Sequence, residues 1–417
     1  MQHDLDDQQP GQPPLDLQRA VAYFSRLRNE RLIGVPQSEQ CEIAIVVPAS
    51  GERPQSVIAL LESLLAQRGV TPGQFEVIIV VNNAPHDGTA AFSERFANNQ
   101  ALLTLPIWAN RPGGELSSLS PDERVRTEYI RERYRFFVID KSTRGSEMES
   151  ANVGKARNRG VAEACDRFFE RGKNGILFQT DADTRLPNPH FLKRMTAVFA
   201  DPETIGGSGG GYYEFDINTD DPLERRRLET DRRDLVMLKL IKRMYQYDRH
   251  RQTGSGFPGF NMMSRSFETA VIGGLEDRVS GEDSRFGRAL ADFGRQKGKR
   301  LFSDRGLRVV TALRESDRTA VLYKTFAVGV SGGQKLIEDP LGTKPREFVA
   351  AHPELQKVGY EAARQAYAAT HRPIPLEDAY ARLRAKVAGT EHGRAFLAEM
   401  DQRSFDSFPW LEEKNSE

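Results

Sequence analysis

A chain of 417 residues, 38% of them hydrophobic and 28% charged, is long and apolar enough to bury one large core or two ordinary ones, the profile of a soluble globular protein. Its 59 basic and 59 acidic side chains cancel to a formal charge of zero, which argues against generic nucleic-acid binding. The two cysteines, Cys41 and Cys165, each sit inside an apolar segment, so buried free thiols in a reducing compartment are expected rather than a disulfide framework. No apolar run reaches the roughly 18 to 20 residues needed to cross a bilayer, and Met1-Gln-His-Asp-Leu-Asp-Asp lacks the basic start and apolar stretch of a signal peptide. A cytoplasmic location is the expectation.

Residues 1–41 begin polar and proline-rich and continue into an amphipathic stretch, Leu15 to Leu32, which predicts a polar tip followed by a docking helix. From Glu42 strands and helices alternate: Ile43-Ala-Ile-Val-Val47, a helix over Val57 to Gln67, the run Phe75-Glu-Val-Ile-Ile-Val-Val81, and a helix over Thr89 to Asn98. Short, fully apolar strands joined by helices predict an α/β fold with a mostly parallel sheet covered on both faces. Residues 103–132 interrupt the pattern with Pro, Gly, Ser and charge, and are expected to form an insertion or mobile loop.

Alternation resumes with the strand Arg135-Phe-Phe-Val-Ile139 and a helix over Val153 to Glu170. The strand that follows, within Asn174-Gly-Ile-Leu-Phe-Gln-Thr180, delivers Asp181-Ala-Asp183 at its end. Two carboxylates at that spacing can converge on one hard cation, or share a cation and a ribose hydroxyl. Asn188 and Pro189 suit the opening of a further helix through Phe199, which leaves both acids in a strand-to-helix loop. Open parallel sheets bind ligands at the carboxyl ends of their strands. The run Gly206-Gly-Ser-Gly-Gly-Gly211 is expected to be a close-packed or flexible backbone crossing, because no P-loop Lys-Ser/Thr follows it. A long basic amphipathic helix is predicted from Pro222 to about Arg251, and a helical C-terminal region over residues 321–417.

The ordered strings Val46-Val-Pro-Ala-Ser-Gly-Glu52, Val80-Val-Asn-Asn-Ala-Pro-His-Asp-Gly-Thr89, Gly154-Lys-Ala-Arg-Asn158, Asp181-Ala-Asp183 and Gly281-Glu-Asp283 resemble glycosyltransferase family 2, with its GT-A fold. The resemblance covers residues 42–318, and it implies a catalytic domain over 42–320 with nucleotide-sugar binding in 42–215 and the acceptor side in 216–320. It further implies a nucleotide-sugar donor, an Mg²⁺ or Mn²⁺ cofactor and an inverting displacement onto a hydroxyl acceptor. Asp183 would be a metal ligand and Asp181 would hold the metal or the ribose. Pro48, Ser50, Glu52 and Asn83 would line the nucleotide, with Lys155, Arg157 and Asn158 near a helix start toward the phosphates. Arg314 and Arg318 could reach the diphosphate. Asp283 would be the base and Glu282 would orient the acceptor.

Bland alternatives stand beside these roles. Ser280-Gly-Glu-Asp283 also fits a helix capping box, and the basic first turn near Lys155 could simply be solvated. Ser50 and Asn83 depart from the aromatic and the Asp of many uridine-binding relatives, so the base stays open, and the absence of Gln-x-x-Arg-Trp argues against a processive synthase. The acceptor, whether small molecule, lipid-linked or protein, is not readable, nor is an oligomeric state. A sugar nucleotidyltransferase and a non-catalytic nucleotide-sugar-binding protein are the competing functions.

Overall fold

The computed structural model describes residues 32–85, 90–111, 119–148, 152–214, 257–276, 282–312, 327–331, 334–337 and 373–407, with scattered residues of 18–23, 222–244 and 341–371. The chain divides into two compact units, Met1–Tyr212 with Gly254–Ala312, and Tyr213–Thr253 with Leu313–Glu417.

In chain order the first unit runs β1 (Ile43–Ala49), α1 (Pro54–Leu65), β2 (Phe75–Asn82), α2 (Ala90–Leu103), α3 (Pro121–Arg133), β3 (Arg135–Lys141), α4 (Val153–Glu170) and β4 (Ile176–Gln179). It continues through β5 (Thr184–Arg185), α5 (Phe191–Val198), β6 (Thr204–Glu214), β7 (Met262–Arg265), α6 (Ser266–Val271), α7 (Glu282–Lys297) and β8 (Arg300–Ala312). The eight strands form one mixed sheet in the order β3-β2-β1-β4-β7-β6-β8-β5. From β3 to β4 every pairing is parallel; β7 then joins β4 antiparallel, and β6 joins β7 antiparallel.

Every residue of β1 and β2 is buried, as a sheet covered on both faces requires. The pleat deals alternate side chains to two cores. Ile43, Ile45, Val47, Val77 and Ile79 join α1 and α5 on one face, while Ala44, Val46, Ile78 and Val80 join α4 and α7 on the other. Helix α4 lies close to the sheet because Gly160 faces it: a Cβ there would stand 2.6 Å from Val46 Cγ1. The glycine run of β6 is the close-packed crossing expected of it, since a Cβ on Gly207 would strike the Phe302 ring at 2.4 Å and one on Gly209 the carbonyl oxygen of Leu307.

Residues 103–111 and 119–132 are more ordered than the composition of 103–132 predicts. Trp108 is buried, and Asn110 clips the β3 edge, donating to Val138 O at 2.8 Å and accepting from Val138 N at 3.0 Å. Helix α3 starts at a reciprocal capping box, in which Ser120 Oγ accepts from Glu123 N while Glu123 accepts from Ser120 N. No residue of α3 is buried, so no apolar stripe announces it.

The second unit holds β9 (Ala327–Ser331), β10 (Gln334–Ile337), β11 (Ile374–Pro375), α8 (Leu376–Ala388) and α9 (Glu391–Ser407). The C-terminal helices are joined by an antiparallel three-stranded sheet, β11-β10-β9, that the helical reading of this region did not include. Leu238, Ile241 and Met244, from the predicted long helix, pack with Leu376, Leu383, Val387, Leu397 and Met400. Most of the predicted helix from Pro222 to Arg251 and of the 1–41 docking stretch lies outside the described residues. Among the described residues no helix is long and apolar enough to cross a membrane.

Candidate active site

The carboxyl ends of β1, β2, β3 and β4 line up along one edge of the sheet, and of the sequence-predicted residues Ser50, Glu52, Asn83, Asp181 and Asp183 follow β1, β2 and β4 there. After β4, Thr180 N still donates to Val46 O at 3.1 Å, and the chain then turns, with Thr184 N donating to Asp181 O at 3.2 Å. Asp181 and Asp183 therefore share one tight turn just beyond the strand. Asp183 Oδ1 accepts from Thr311 Oγ1 at 3.3 Å, across the antiparallel pairing of β5 with β8.

Arg157, on the first turns of α4, is enclosed, with a side chain only 1% exposed. Its Nη2 donates to Asp181 Oδ1 at 2.5 Å and its Nη1 to Glu282 Oε1 at 3.4 Å. Glu282 is itself buried and opens α7. Next to it, Asp283 accepts from Gly259 N at 3.0 Å and from Ser284 N at 2.6 Å. Gly259 lies against the same guanidinium: a Cβ there would stand 2.7 Å from Arg157 Nη1 and 3.4 Å from Asp283 Oδ2. Asp181 and Glu282, distant in sequence, thus share one buried cation, and Asp283 follows Glu282 on the first turn of α7.

The other candidates take different places. Asn152 caps α4, its Oδ1 accepting from Lys155 N at 2.7 Å, and leaves the Lys155 side chain half-buried on the first turn. Asn158 Oδ1 accepts from Leu275 N at 3.0 Å and lies against Gly274, so it holds the turn of Gly273 and Gly274, both at positive φ. Pro48 is buried inside β1; Ser50 is exposed and Glu52 half-exposed on the loop that follows. Arg314 and Arg318 lie outside the described residues.

Asn83 is buried in a polar knot. Its Oδ1 accepts from Asn99 Nδ2 at 3.0 Å and from the Ser142 hydroxyl, and its Nδ2 donates to Ala84 O at 2.8 Å. Asn99, on α2, also accepts from Gly51 N at 2.8 Å and reaches Asn82 O at 3.2 Å. One carboxamide thereby ties the loops after β1, β2 and β3. Sequence reasoning missed it, and also missed Asp140, whose carboxylate accepts from Ser142 N, Thr143 N, Thr143 Oγ1 and Arg111. Burial pushes the Asp140 carboxyl up, but these hydrogen bonds outweigh it and hold the group below the usual carboxylate range.

Whether these groups suit a divalent ion can be asked of the donor set. Among the described residues no three His, Cys, Asp or Glu side chains form a metal cage. Two carboxylates in one turn fit Mg²⁺ or Mn²⁺ of the kind that completes its shell with substrate phosphates and water. Several buried polar atoms near this edge have no protein partner, including both carboxamide atoms of Gln179 and the Oγ1 of Thr184. An open polar cleft of about 620 Å³ lies at the opposite, amino, edge, lined in part by Gln37, Glu39, Arg135 and Arg171; it contains none of the predicted site residues.

No family model and no curated protein matches the chain. Among solved structures it is similar to the mannosyltransferase PcManGT from Pyrobaculum calidifontis in complex with GDP-Man and Mn²⁺, at 14% identity over 93% of this chain and 88% of that one, with a TM-score of 0.39. It is also similar to TarS 1-349 of S. aureus in complex with UDP-GlcNAc, at 14% identity over 67% of this chain and 60% of that one, with a TM-score of 0.34. The chain thus spans about three-fifths of the length of that TarS structure. The first is a mannosyltransferase by name and both were solved with a nucleotide sugar, but at TM-scores this low the likeness does not assign a reaction.

Proposed function

We propose that the chain is a metal-dependent inverting glycosyltransferase of the family 2 type, which moves one sugar from a nucleoside-diphosphate sugar to a hydroxyl acceptor. The observation that carries this is that Arg157 bridges Asp181, just past the carboxyl end of β4, to Glu282, which stands beside Asp283 at the start of α7. The carboxyl edge of the parallel strands is where open α/β sheets bind nucleotides. It offers both parts such a transfer needs, an acid turn for the donor and a separate carboxylate for the acceptor.

Asp181 and Asp183 would hold Mg²⁺ or Mn²⁺, which when bound compensates the charge of the departing diphosphate. Lys155, near the start of α4, would add positive charge to the same region. Asp283 would take the proton of the acceptor hydroxyl as that oxygen bonds to the anomeric carbon; the bond from that carbon to the phosphate oxygen breaks and its electron pair leaves with the diphosphate. Glu282, paired with Arg157, would fix the first turn of α7 and with it Asp283. We place the enzyme in the cytoplasm, with a small-molecule, lipid-linked or protein acceptor.

The test is nucleotide release from a panel of UDP-, GDP- and ADP-sugars, with and without Mn²⁺. Donor-dependent release that needs the ion supports the reading. Pyrophosphate-dependent formation of nucleoside triphosphate would instead identify a nucleotidyltransferase, and binding without turnover a non-catalytic protein.

A further inference from the structure

Arg157 has a geometry that phosphate binding does not explain. A guanidinium that greets a ligand is open to solvent, whereas this one is 1% exposed and spans from Asp181 to Glu282. The two contacts are unequal: the fork lies 2.5 Å from Asp181 and 3.4 Å from Glu282. Gly259 closes its flank without a side chain, and the same glycine holds Asp283 through its N–H. Displacing the guanidinium would therefore disturb the acid turn after β4, the first turn of α7 and the Gly259 backbone together.

From this we infer that Arg157 is a positioning residue, an internal counter-cation that occupies Asp181 until a metal ion takes that carboxylate, and that links the acid turn to the helix carrying Asp283. The inference rests on the proposed sugar transfer for its consequence in turnover, but its core is electrostatic. A guanidinium at hydrogen-bond distance from Asp181 competes with a divalent ion for the same oxygen and repels it. Removing the guanidinium frees Asp181 for the ion and at the same time loosens Asp283. Metal affinity and turnover then move in opposite directions, which general damage to the fold would not produce.

The experiment uses the full chain as wild type, Arg157→Met and Gly259→Ala. The alanine variant keeps every charge and displaces Arg157 by contact, and so covers the case in which Arg157→Met does not fold. Mn²⁺ alone is titrated while the free ion is followed by electron paramagnetic resonance, and nucleotide release from the sugar-donor panel is measured on the same samples. At least one folded variant is expected to bind Mn²⁺ threefold or more tightly than the wild type while releasing nucleotide at least tenfold more slowly. Unchanged Mn²⁺ affinity in the folded variants, or affinity and turnover falling together, overturns the assignment. A wild type that binds Mn²⁺ but releases no nucleotide from any donor removes the glycosyltransferase reading, and the Mn²⁺ comparison still decides the role of Arg157. A wild type that binds no Mn²⁺ overturns both.

Discussion

Asn99 donates to the Oδ1 of Asn83 across 3.0 Å, and neither side chain is more than 1% exposed. Because the same Asn99 carboxamide also accepts from Gly51 N and reaches Asn82 O and Ser142 Oγ, it sets the relative positions of three strand-end loops. Asn99→Asp keeps the acceptor for Gly51 but turns a carboxylate toward three oxygens that had been receiving hydrogen bonds. Leaving buried polar groups unsatisfied costs about 1–3 kcal/mol each. The expected result is a loss of about 2 kcal/mol in urea unfolding and a donor affinity at least tenfold weaker, with nucleotide affinity measured by calorimetry. Wild-type donor affinity in a stable Asn99→Asp protein would detach the knot from the nucleotide site.

Asp283 accepts two backbone hydrogen bonds that fix its carboxylate at the start of α7. Asp283→Asn keeps the size of the group but cannot take a proton from an acceptor hydroxyl, and general bases contribute on the order of 10²–10⁴-fold in rate. Turnover should fall by about a thousandfold, while nucleotide affinity stays within about threefold of wild type. Retention of more than a tenth of the wild-type kcat would show that the base lies elsewhere.

A buried ion pair anchors α4 to the amino end of β2. Arg167 donates from Nε and Nη2 to the two oxygens of Glu76 at 2.9 and 2.7 Å, with both residues about 1% exposed, and Gln37 donates to the same carboxylate. Breaking one side leaves a buried charge without its partner, at a cost of about 3–5 kcal/mol. Glu76→Gln should lower stability by that amount in urea unfolding. The double change Glu76→Leu with Arg167→Met should cost less than the single one, because no lone charge remains. A double variant less stable than both singles would mean that the pair stabilises the fold beyond its own neutralisation.

The parts of this fold that were legible in the sequence are those that local pattern encodes. Strands β1 and β2 are almost wholly apolar because both faces of each are covered, and the acid turn could be placed because a strand end precedes it. Helix α3 was hidden because none of its residues is buried, although Ser120 and Glu123 stand at capping-box spacing. The partners of Arg157, Asn158 and Asn99 were not legible at all. Arg157 meets Glu282 across 125 positions and Asn158 meets Leu275 across 117, and no periodicity in one segment records what folds against it from another. A string such as Gly154-Lys-Ala-Arg-Asn158 marks a helix start, but only the packed structure separates Lys155, left half-buried, from Arg157, turned inward.

The two thiols illustrate how burial suppresses chemistry. Burial pushes Cys41 far above the ordinary thiol range, with Glu76 adding to the rise, and it does the same to Cys165, where Asp166 adds. Since the thiolate is the reactive form, both should be inert. A chromogenic disulfide reagent at pH 8 should develop no colour with the native protein and should titrate both cysteines once denaturant is added. Stoichiometric labelling of the native protein would place at least one thiol at the surface.

Asp140 gives the chain a defined acid sensitivity. Burial alone would raise its carboxyl, but Thr143, Ser142 and Arg111 all donate to it and hold it below its ordinary value. A carboxyl whose folded value lies below its unfolded one, about 3.9, binds fewer protons folded than unfolded as that value is approached. Its contribution is therefore complete above the unfolded value and disappears as pH falls through the folded one. Asp140→Asn should be less stable than wild type at pH 7, and the gap between the two should narrow as pH falls below the unfolded carboxyl value of about 3.9. Urea unfolding of both proteins across that range tests this. A gap that stays constant with pH would mean that the Asp140 contacts stabilise the β3 end without regard to charge, and that the acid limb of the stability profile belongs to other carboxylates.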